Sequence, residues 1–510
     1  MIWSKLLARQ AGLLAIVLSS WAVQAQSKPN GFQPEITLQG VVSGSQNHSY
    51  VEVPFHVPAG VHRLTVTFSY TERNQKTTLD LGLEDPDGLR CWSGGNKSTL
   101  TVGFSDATPS CLPGPISSGE WNVLIGVPNI RPNVTSHYTA TVFLSRSGLV
   151  SDEPGVLREA LRTGPGWYRG DLHMHTGHSD GRCPNQTGQM VPCPVFMTVE
   201  AAVKRGLDFI AITDHNATSQ YDAMRELQPY FDNLLLIPGR ELTTFQGHMN
   251  IFGTTDFVDF RVGSRSVPDV NVLLQRVKQM GVIASINHPN SPTGEICMGC
   301  GWTPAVAVQM NLLTAIETVN GGNVDPASSG ISFWEQQLNQ GYRLTAIGGS
   351  DNHMPLLPPE APNAVGHPTT VVYAQELSTP AILDGIRSGR VFVDVTGSRD
   401  RLLDISARTK TSSAMMGGDL RAGAGQEIDI EAHINGCNGA SAELISEGKP
   451  VADAPKQAIH EDRASVHWTM KAAEGRQWVL VQVRDSSGSL VLLGNPIFVN
   501  WNEAPSHRTH

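Results

Sequence analysis

Of the chain's 17 histidines, seven fall between residues 170 and 360: His173, His175, His178, His215, His248, His288 and His353. Asp171-Leu-His-Met-His175 sets two imidazoles two residues apart, on one side of an extended segment and about 7 Å from each other along it. Ser179-Asp180-Gly181 adds a carboxylate in a turn. Asp214-His215 follows the apolar run 207–213, Glu241 follows the run 234–238, and His248 comes seven residues after that glutamate. Asn287-His288-Pro289 closes the run 282–286, and Ser350-Asp351-Asn-His353 repeats the two-residue spacing after 344–347.

Imidazole nitrogens and carboxylate oxygens are the ligands that borderline and hard divalent metals take. The candidates are His173, His175, Asp180, His215, Glu241, His248, His288, Asp351 and His353. They exceed what one ion needs, so two or three divalent ions (Zn, Mn or Fe) sharing a carboxylate are expected. Any one of these histidines alone reads as a hydrogen-bonded core residue; their recurrence at the ends of apolar runs does not. Ions clustered in this way lower the pKa of water, and a bridging hydroxide then cleaves an ester without a covalent protein intermediate. No Walker loop and no dinucleotide fingerprint is present.

The runs that carry these residues alternate with helical patterns from Trp167 to about Gly397. Strand-like segments are 207–213, 234–238, 282–286, 315–319, 344–347 and 370–373, and helix candidates are 199–205, 270–280, 332–339 and 379–388. Such alternation is the pattern of an α/β barrel, whose chemistry sits at the C-terminal ends of its strands. Residues 32–148 read as short alternating runs between turns (51–55, 63–68, 78–83, 121–125 and 138–143), an expected β-sandwich. A Pro/Gly linker follows, with a short helix expected at 155–162. Short strands return at 403–407, 428–432, 478–483 and 490–493, so a second β-sandwich is expected over 402–503.

The segments Gly170-Asp-Leu-His-Met-His-Thr-Gly-His-Ser-Asp-Gly181, Ile212-Thr-Asp-His-Asn216, Gly239-Arg-Glu-Leu242 with Gly247-His248, Asn287-His-Pro289 and Gly349-Ser-Asp-Asn-His353 resemble the ordered motifs of the PHP (polymerase and histidinol phosphatase) superfamily. The flanking β regions and an N-terminal leader resemble its CehA/McbA-like metallohydrolase branch. The resemblance covers about 167–397. It implies a multidomain chain in which a distorted (β/α)7 TIM-like barrel is flanked by N-terminal and C-terminal β-sandwich domains. It also implies that His173, His175, Glu241 and Asp351 hold one ion, and that Glu241 bridges to a second held by His248 and His288. Asp180, His215 and His353 would hold a third. Glu241, Asp351 and His353 are then the candidates for direct catalytic roles.

Most members of that superfamily hydrolyse phosphoesters, whereas the branch takes its name from members that cleave aryl carbamate esters. The resemblance therefore implies a small-molecule ester substrate, with phosphoesters first and carbamate or carboxylic aryl esters as the alternative. An envelope- or glycan-binding protein with a non-catalytic barrel is the alternative of another class. Arg182, just after the Asp180-Gly181 turn, and Arg240, beside Glu241, are candidates to hold phosphate oxygens. His178 is a loop candidate for touching substrate. The insert 290–304, with Cys297, Cys300 and Trp302, and the Pro-rich loop 354–362 are expected as apolar walls suited to an aromatic leaving group.

Charge argues against nucleic acid as a partner: 37 Lys+Arg face 47 Asp+Glu, a formal charge of −10. Residues 1–25 read as a secretory signal, with Lys5 and Arg9, an apolar run from Ala11 to Ala22, and Val23-Gln24-Ala25 before the cleavage point. That run is shorter than the roughly 20 residues a bilayer span needs. A periplasmic or secreted protein without a transmembrane segment in its mature form is the expectation; oligomeric state is not legible. Cysteine usage agrees with export. Cys91–Cys111 and Cys183–Cys193 are the first expectation as loop staples, although the four cysteines from 183 to 300 allow three pairings among which the sequence does not choose. Cys297-Met-Gly-Cys300 reads equally as a short-loop disulfide, half of a thiolate zinc site or a redox pair, and Cys437 is the odd thiol.

Overall fold

Period-two patterning decides the N-terminal region. The strand Thr135–Ser145 buries Ser136, Tyr138, Ala140, Val142 and Leu144 and leaves the residues between them at least partly open, as a sheet with one packed face requires. The computed structural model describes residues 34–147, 149, 159–295, 297 and 299–501. Within it, Ile36–Ser43, Thr135–Ser145, Arg63–Tyr70 and Thr99–Gly103 form one four-stranded sheet. Ser49–Val57, Gly119–Asn129, Thr78–Asp85 and Gly88–Trp92 form another. Inner residues of both, among them Leu64, Val66, Leu81, Trp121, Ile125 and Val142, share a single apolar cluster. Cys91 is paired with Cys111 at its edge. The expected signal at 1–25 lies outside the described residues, as does the first half of the helix expected at 155–162, whose described half, 159–162, is not helical. Arg162, its last residue, opens the strand Arg162–Asp171.

A larger sheet runs through the centre. Its order is Thr345–Gly349, Ala315–Asn320, Ile283–Ile286, Gly247–Phe252, Leu235–Thr244, Phe209–Ile212, Arg162–Asp171, Thr369–Leu377 and Val391–Asp394. Neighbours are parallel from Arg162–Asp171 through Phe209–Ile212 to Leu235–Thr244, and from Ile283–Ile286 through Ala315–Asn320 to Thr345–Gly349, while Thr369–Leu377 is antiparallel to both of its neighbours. Pairing is also antiparallel around Gly247–Phe252. The sheet curls until its first strand meets Thr369–Leu377: the Thr370 hydroxyl donates to the Gly348 carbonyl at 2.7 Å and accepts from the Gly348 amide at 2.8 Å.

Strand alternation divides this sheet into two chemistries. Phe209, Ala211, Leu235, Ile237, Ala315 and Ile347 belong to one cluster. Their alternate neighbours Ile210, Ile212 and Leu236 pack in a second, and Ile316 and Ala346 in a third, against helices. Continuing the first file toward the C-terminal strand ends leads from Ile237 to Glu241 and from Ala315 to Glu317. An apolar plug therefore floors a polar mouth.

Seven strand–helix units are not what the chain builds. The described residues contain five α-helices: Val195–Arg205, Gln220–Leu227, Val270–Gln279, Ile331–Gln340 and Thr379–Ser388. A tight hairpin replaces a helical crossover after Leu235–Thr244, and the connection from Ile286 to Ala315 holds only a 3-10 turn at Met310–Leu312. That connection contains Pro289, Pro292, Gly294, Gly299, Gly301 and Pro304, which explains why no helix forms there. Beyond residue 401, Ser413–Met415, Leu402–Arg408, Glu427–Asn435 and Arg463–Lys471 form a separate four-stranded sheet. Leu490–Gly494, Gln477–Arg484 and Ser441–Ser446 instead extend the central sheet through the pairing of Phe392 with Gly494. No helix among the described residues is long and apolar enough to cross a membrane.

A buried ion network ties the N-terminal sheets to the centre. Arg63 donates to Asp106 at 2.9 Å and to the Thr255 hydroxyl at 2.7 Å, and Arg225, on the helix Gln220–Leu227, donates to Asp106 at 2.7 Å. Burial would raise the Asp106 carboxyl, but Arg63 and Arg225 hold it far below the usual range. Because the folded value is depressed, its contribution is complete above about pH 4 and is lost as pH falls further. Asp106→Asn should cost about 3–5 kcal/mol by leaving two buried guanidinium groups without their anion. It should also flatten the acid limb of the stability curve. Denaturant melts at pH 7 and pH 3 check this; a variant as stable as the parent at pH 7 would contradict it.

Candidate metal centre

Six strands of the central sheet deliver candidate ligands to the mouth. His173 and His175 follow the strand Arg162–Asp171, His215 follows Phe209–Ile212, Glu241 lies within Leu235–Thr244 and His248 opens Gly247–Phe252. His288 follows Ile283–Ile286, and Asp351 and His353 follow Thr345–Gly349. The two ends of the sheet are joined by the ligand segments themselves. The Asp351 amide donates to the His173 carbonyl and the His175 amide to the Asn352 carbonyl, each at 2.8 Å. Asp171 braces the junction, accepting from the amides of His173, Ser350 and Gly366. Burial pushes its carboxyl up to about 6 even against these donors. A side chain on Gly349 would strike the His173 Cβ and the Glu317 carboxylate, so only glycine permits this approach.

Glu241 is wholly buried at the centre of the group. Its Oε2 lies 3.5 Å from Nε2 of His173, 3.5 Å from Nε2 of His175 and 2.8 Å from Nδ1 of His215. Its Oε1 lies 3.2 Å from Nδ1 of His248 and 3.5 Å from Nε2 of His288, and accepts from the Asn287 amide at 2.9 Å. Asp351 Oδ1 sits 3.4 Å from His173 Nε2 and 3.1 Å from His175 Nε2. Asp180 Oδ1 is 3.3 Å from His353 Nε2 and 3.7 Å from His215 Nε2. Three overlapping groups close enough to share an ion result: His173, His175 and Asp351; His173, Glu241 and His288; and His175, Asp180, His215 and His353. His248 stands outside them, against Glu241 and edge-on to the rings of His215 and His288.

Tautomers show what the centre lacks. His173 Nδ1 faces a Glu317 oxygen at 2.9 Å, His288 Nδ1 faces the Cys300 carbonyl at 3.1 Å, and His353 Nδ1 faces the Asp351 carbonyl at 2.9 Å. Those oxygens only accept, so each Nδ1 carries the hydrogen. In the neutral ring, each Nε2 then points a lone pair at a carboxylate oxygen. Two acceptors cannot face one another at such range unless a cation lies between them. Two ligand atoms each about 2.1 Å from one tetrahedral ion are themselves about 3.4 Å apart, the spacing seen here. His173 Nε2, His175 Nδ1, Glu241 Oε2 and His248 Nε2 are buried without hydrogen-bond partners. The donor set therefore fits divalent cations.

Titration of these groups registers the same demand for positive charge: against the downward pull of burial, the neighbouring carboxylates raise His173, His215 and His288. Burial would raise the Glu241 and Asp351 carboxyls, yet His173 and the other imidazoles hold both well below the usual range. Against the downward pull of burial, Asp180 and Asp351 lift His353 to about 9, while Asp180 falls to about 2. Burial keeps His175 low despite Asp351 and Glu241, so it is neutral and free to ligate. His288 and Asp351 also hold positive φ angles, 27° and 52°, a strain characteristic of residues fixed by function.

The other candidates are placed less centrally. Arg240 is fully buried on the opposite face of its strand from Glu241, donating to the Asp256 carbonyl; strand alternation turns it away from the mouth and excludes contact with substrate. Arg182 donates its side chain to the Met190 carbonyl and its amide to the His353 carbonyl. Cys183–Cys193 closes that hairpin. His178 lies in the turn between His175 and Asp180, its Nδ1 2.8 Å from the Ser219 hydroxyl. Gly177-His-Ser-Asp-Gly181 also spells Gly-x-Ser-x-Gly, the turn that presents a nucleophilic serine on other folds. Here the Ser179 hydroxyl donates to Asp214 at 2.6 Å, and no imidazole contact makes it a nucleophile. Trp302 packs over Gly247 rather than lining the mouth, and Pro359 and Glu360 line a separate cavity. Cys297 is paired with Cys300, and Cys437 is a buried thiol pushed up to about 11 by burial.

Sequence reasoning gave no role to Glu317, which orients His173 and accepts from the His288 amide at 3.0 Å. Nor did it assign one to Asn287 on Glu241, or to Asn320, which donates toward Glu317 and Asp351. The available signal was a lone acid inside the otherwise apolar run Ala315-Ile-Glu-Thr-Val319.

No protein-family model and no curated protein matches the chain. Among solved structures, a two-domain protein from Bacteroides vulgatus, described as containing a predicted PHP-like metal-dependent phosphoesterase, is similar at 18% identity and a TM-score of 0.35. The similarity covers 68% of this chain and 98% of that one. The functional reading rests on the ligand geometry itself.

Glu317→Gln should lower metal affinity by about 10–100-fold, the usual effect of removing a carboxylate behind a ligating imidazole, and His173→Ala should lower the metal content outright. Chelator competition and elemental analysis measure both. Unchanged affinity in Glu317→Gln would show that the His173 tautomer needs no such partner.

Proposed function

We propose that the protein is an exported, metal-dependent hydrolase of ester bonds, with a PHP-type barrel between two β-sandwich domains, belonging to the CehA/McbA-like branch. The observation that carries this is the convergence of imidazole and carboxylate atoms, several buried and unpartnered, at one set of strand ends. Residues 1–25 and the three cysteine pairs support export.

Divalent ions in such a set lower the pKa of water and neutralise charge that develops on the attacked group. The chain's own contribution is positional. His173, His175, Glu241 and Asp351 would hold one ion, Glu241 with His288 and His248 a second, and Asp180, His215 and His353 a third. Glu317, Cys300 and the Asp351 carbonyl keep the Nδ1 hydrogens of His173, His288 and His353 in place, so that Nε2 is presented to the mouth. The apolar floor keeps water from the ligand bases, which strengthens each electrostatic contact. Half-buried His353 and exposed Asp180 face the open side, where a substrate enters. His178 is the nearby side chain best placed to meet it.

Phosphoesters are the first reading, because ions held by the three ligand groups would supply enough cationic charge for phosphoryl oxygens. A carbamate or carboxylic ester is the second, favoured by the positions of Arg182 and Arg240, neither of which is aimed at the mouth. Para-nitrophenyl phosphate and para-nitrophenyl acetate, assayed side by side with metal and with chelator, separate them. Asp351→Ala should abolish turnover, and His215→Ala should lower it partially. Metal-replete protein that turns over neither ester, nor any member of a wider ester panel, yet binds envelope fragments would replace catalysis with a binding role.

A further inference from the structure

Beside the second ligand group lies a cavity of about 370 Å³ that opens on His288 and Asp351. Its volume suits a ring-sized group rather than an extended ligand. The outer wall is formed by Ser291 to Glu295 and Cys297, in the loop that follows His288, with Cys300 and Asn320 closing the sides. This wall is fixed to the ligands. The Ser291 amide donates to the His288 carbonyl at 2.9 Å, the Trp302 amide to Pro289 at 2.9 Å, and the Gly299 amide to the Thr293 hydroxyl at 2.9 Å.

Acids outnumber bases in the lining: Glu295 and Asp351 stand against His288. No lysine or arginine is among its described residues, and Glu295 stands exposed in the wall. Asp351, the other acid, is answered by His173 and His175; Glu295 has no cationic partner among the described residues. Cationic side chains do gather elsewhere: Arg205 and Arg399, with Glu360, line a different cavity of about 430 Å³ that contains none of the ligands. The site next to the reacting centre is the one without them.

We propose that this cavity seats the leaving group of the ester, and that Glu295 selects its charge, admitting neutral and cationic groups and repelling anionic ones. The assignment rests on the ester-hydrolase reading of the adjoining centre. A carboxylate near a unit charge in water-like surroundings changes binding by about five-fold, and salt screens the effect.

Calorimetric titration of the metal-replete full-length protein with 4-hydroxybenzoate, 4-hydroxybenzyl alcohol and 4-hydroxybenzylamine tests this with one ring and three charges. The acetate and phosphate esters of the first two supply kcat/KM for the same comparison. The anionic compound should bind about five-fold more weakly than the neutral one, with the gap closing as salt rises. Glu295→Gln should narrow the gap and Glu295→Lys should invert it; exposure of this side chain makes both variants compatible with folding, which thermal melts verify. Equal binding of all three, no binding of any, or an order unchanged in Glu295→Lys would overturn the proposal. Absence of turnover with every ester would instead count against the hydrolase reading, and the binding order would still decide the charge rule.

Discussion

A carboxylate with no access to water, approached by five imidazoles, governs this structure. Glu241 cannot exist as a lone anion in the interior, because burying an unpaired charge costs several kcal/mol. Its oxygens are met from every side by His173, His175, His215, His248 and His288. Two of those rings, His173 and His288, are in turn oriented by oxygens that only accept. Neither half of the arrangement is satisfied without positive charge between them, and protons or divalent ions are the two ways to provide it. The centre is a demand for cations written into the packing.

Meeting that demand shapes the surrounding elements. The sheet must curl far enough for the segment after Thr345–Gly349 to reach the one after Arg162–Asp171, and Asp171, Gly349 and Thr370 make the approach possible. Glycine at 349 leaves room for His173. Positive φ at His288 and Asp351 aims both side chains inward at a cost of about 1–3 kcal/mol each, which the surrounding hydrogen bonds offset. The loop after His288 has a double part in this: Cys300 orients that ligand, and the same loop walls the adjoining cavity. One short, disulfide-closed segment thus both orients His288 and walls the cavity beside it.

Much of the centre was legible as spacing. His173 with His175 and Asp351 with His353 stand two residues apart beside apolar runs, a pattern that local geometry translates into groups at strand ends. Strands with plain alternation, such as Thr135–Ser145, were equally legible. Gly247–Phe252 was not, because all six of its residues are buried and it includes His248 and Asn250, so neither face carries a polar signature. Gln220–Leu227 was missed as well; it is short and its mean character is polar, and it is held by contacts such as Arg225 to Asp106. Arg240 misled because adjacency to Glu241 in the chain means opposition across a strand.

Local sequence thus established the candidate ligand types, their order and the apolar runs that carry them, since each depends on residues within about ten positions of one another. Which ligands share an ion, that Glu317 stands behind His173, that Glu295 faces the cavity at His288, and that part of the C-terminal region continues the central sheet were settled only by folding. These are distances between segments up to about two hundred residues apart. The curl of the sheet sets them, and no pattern within a single segment encodes that curl.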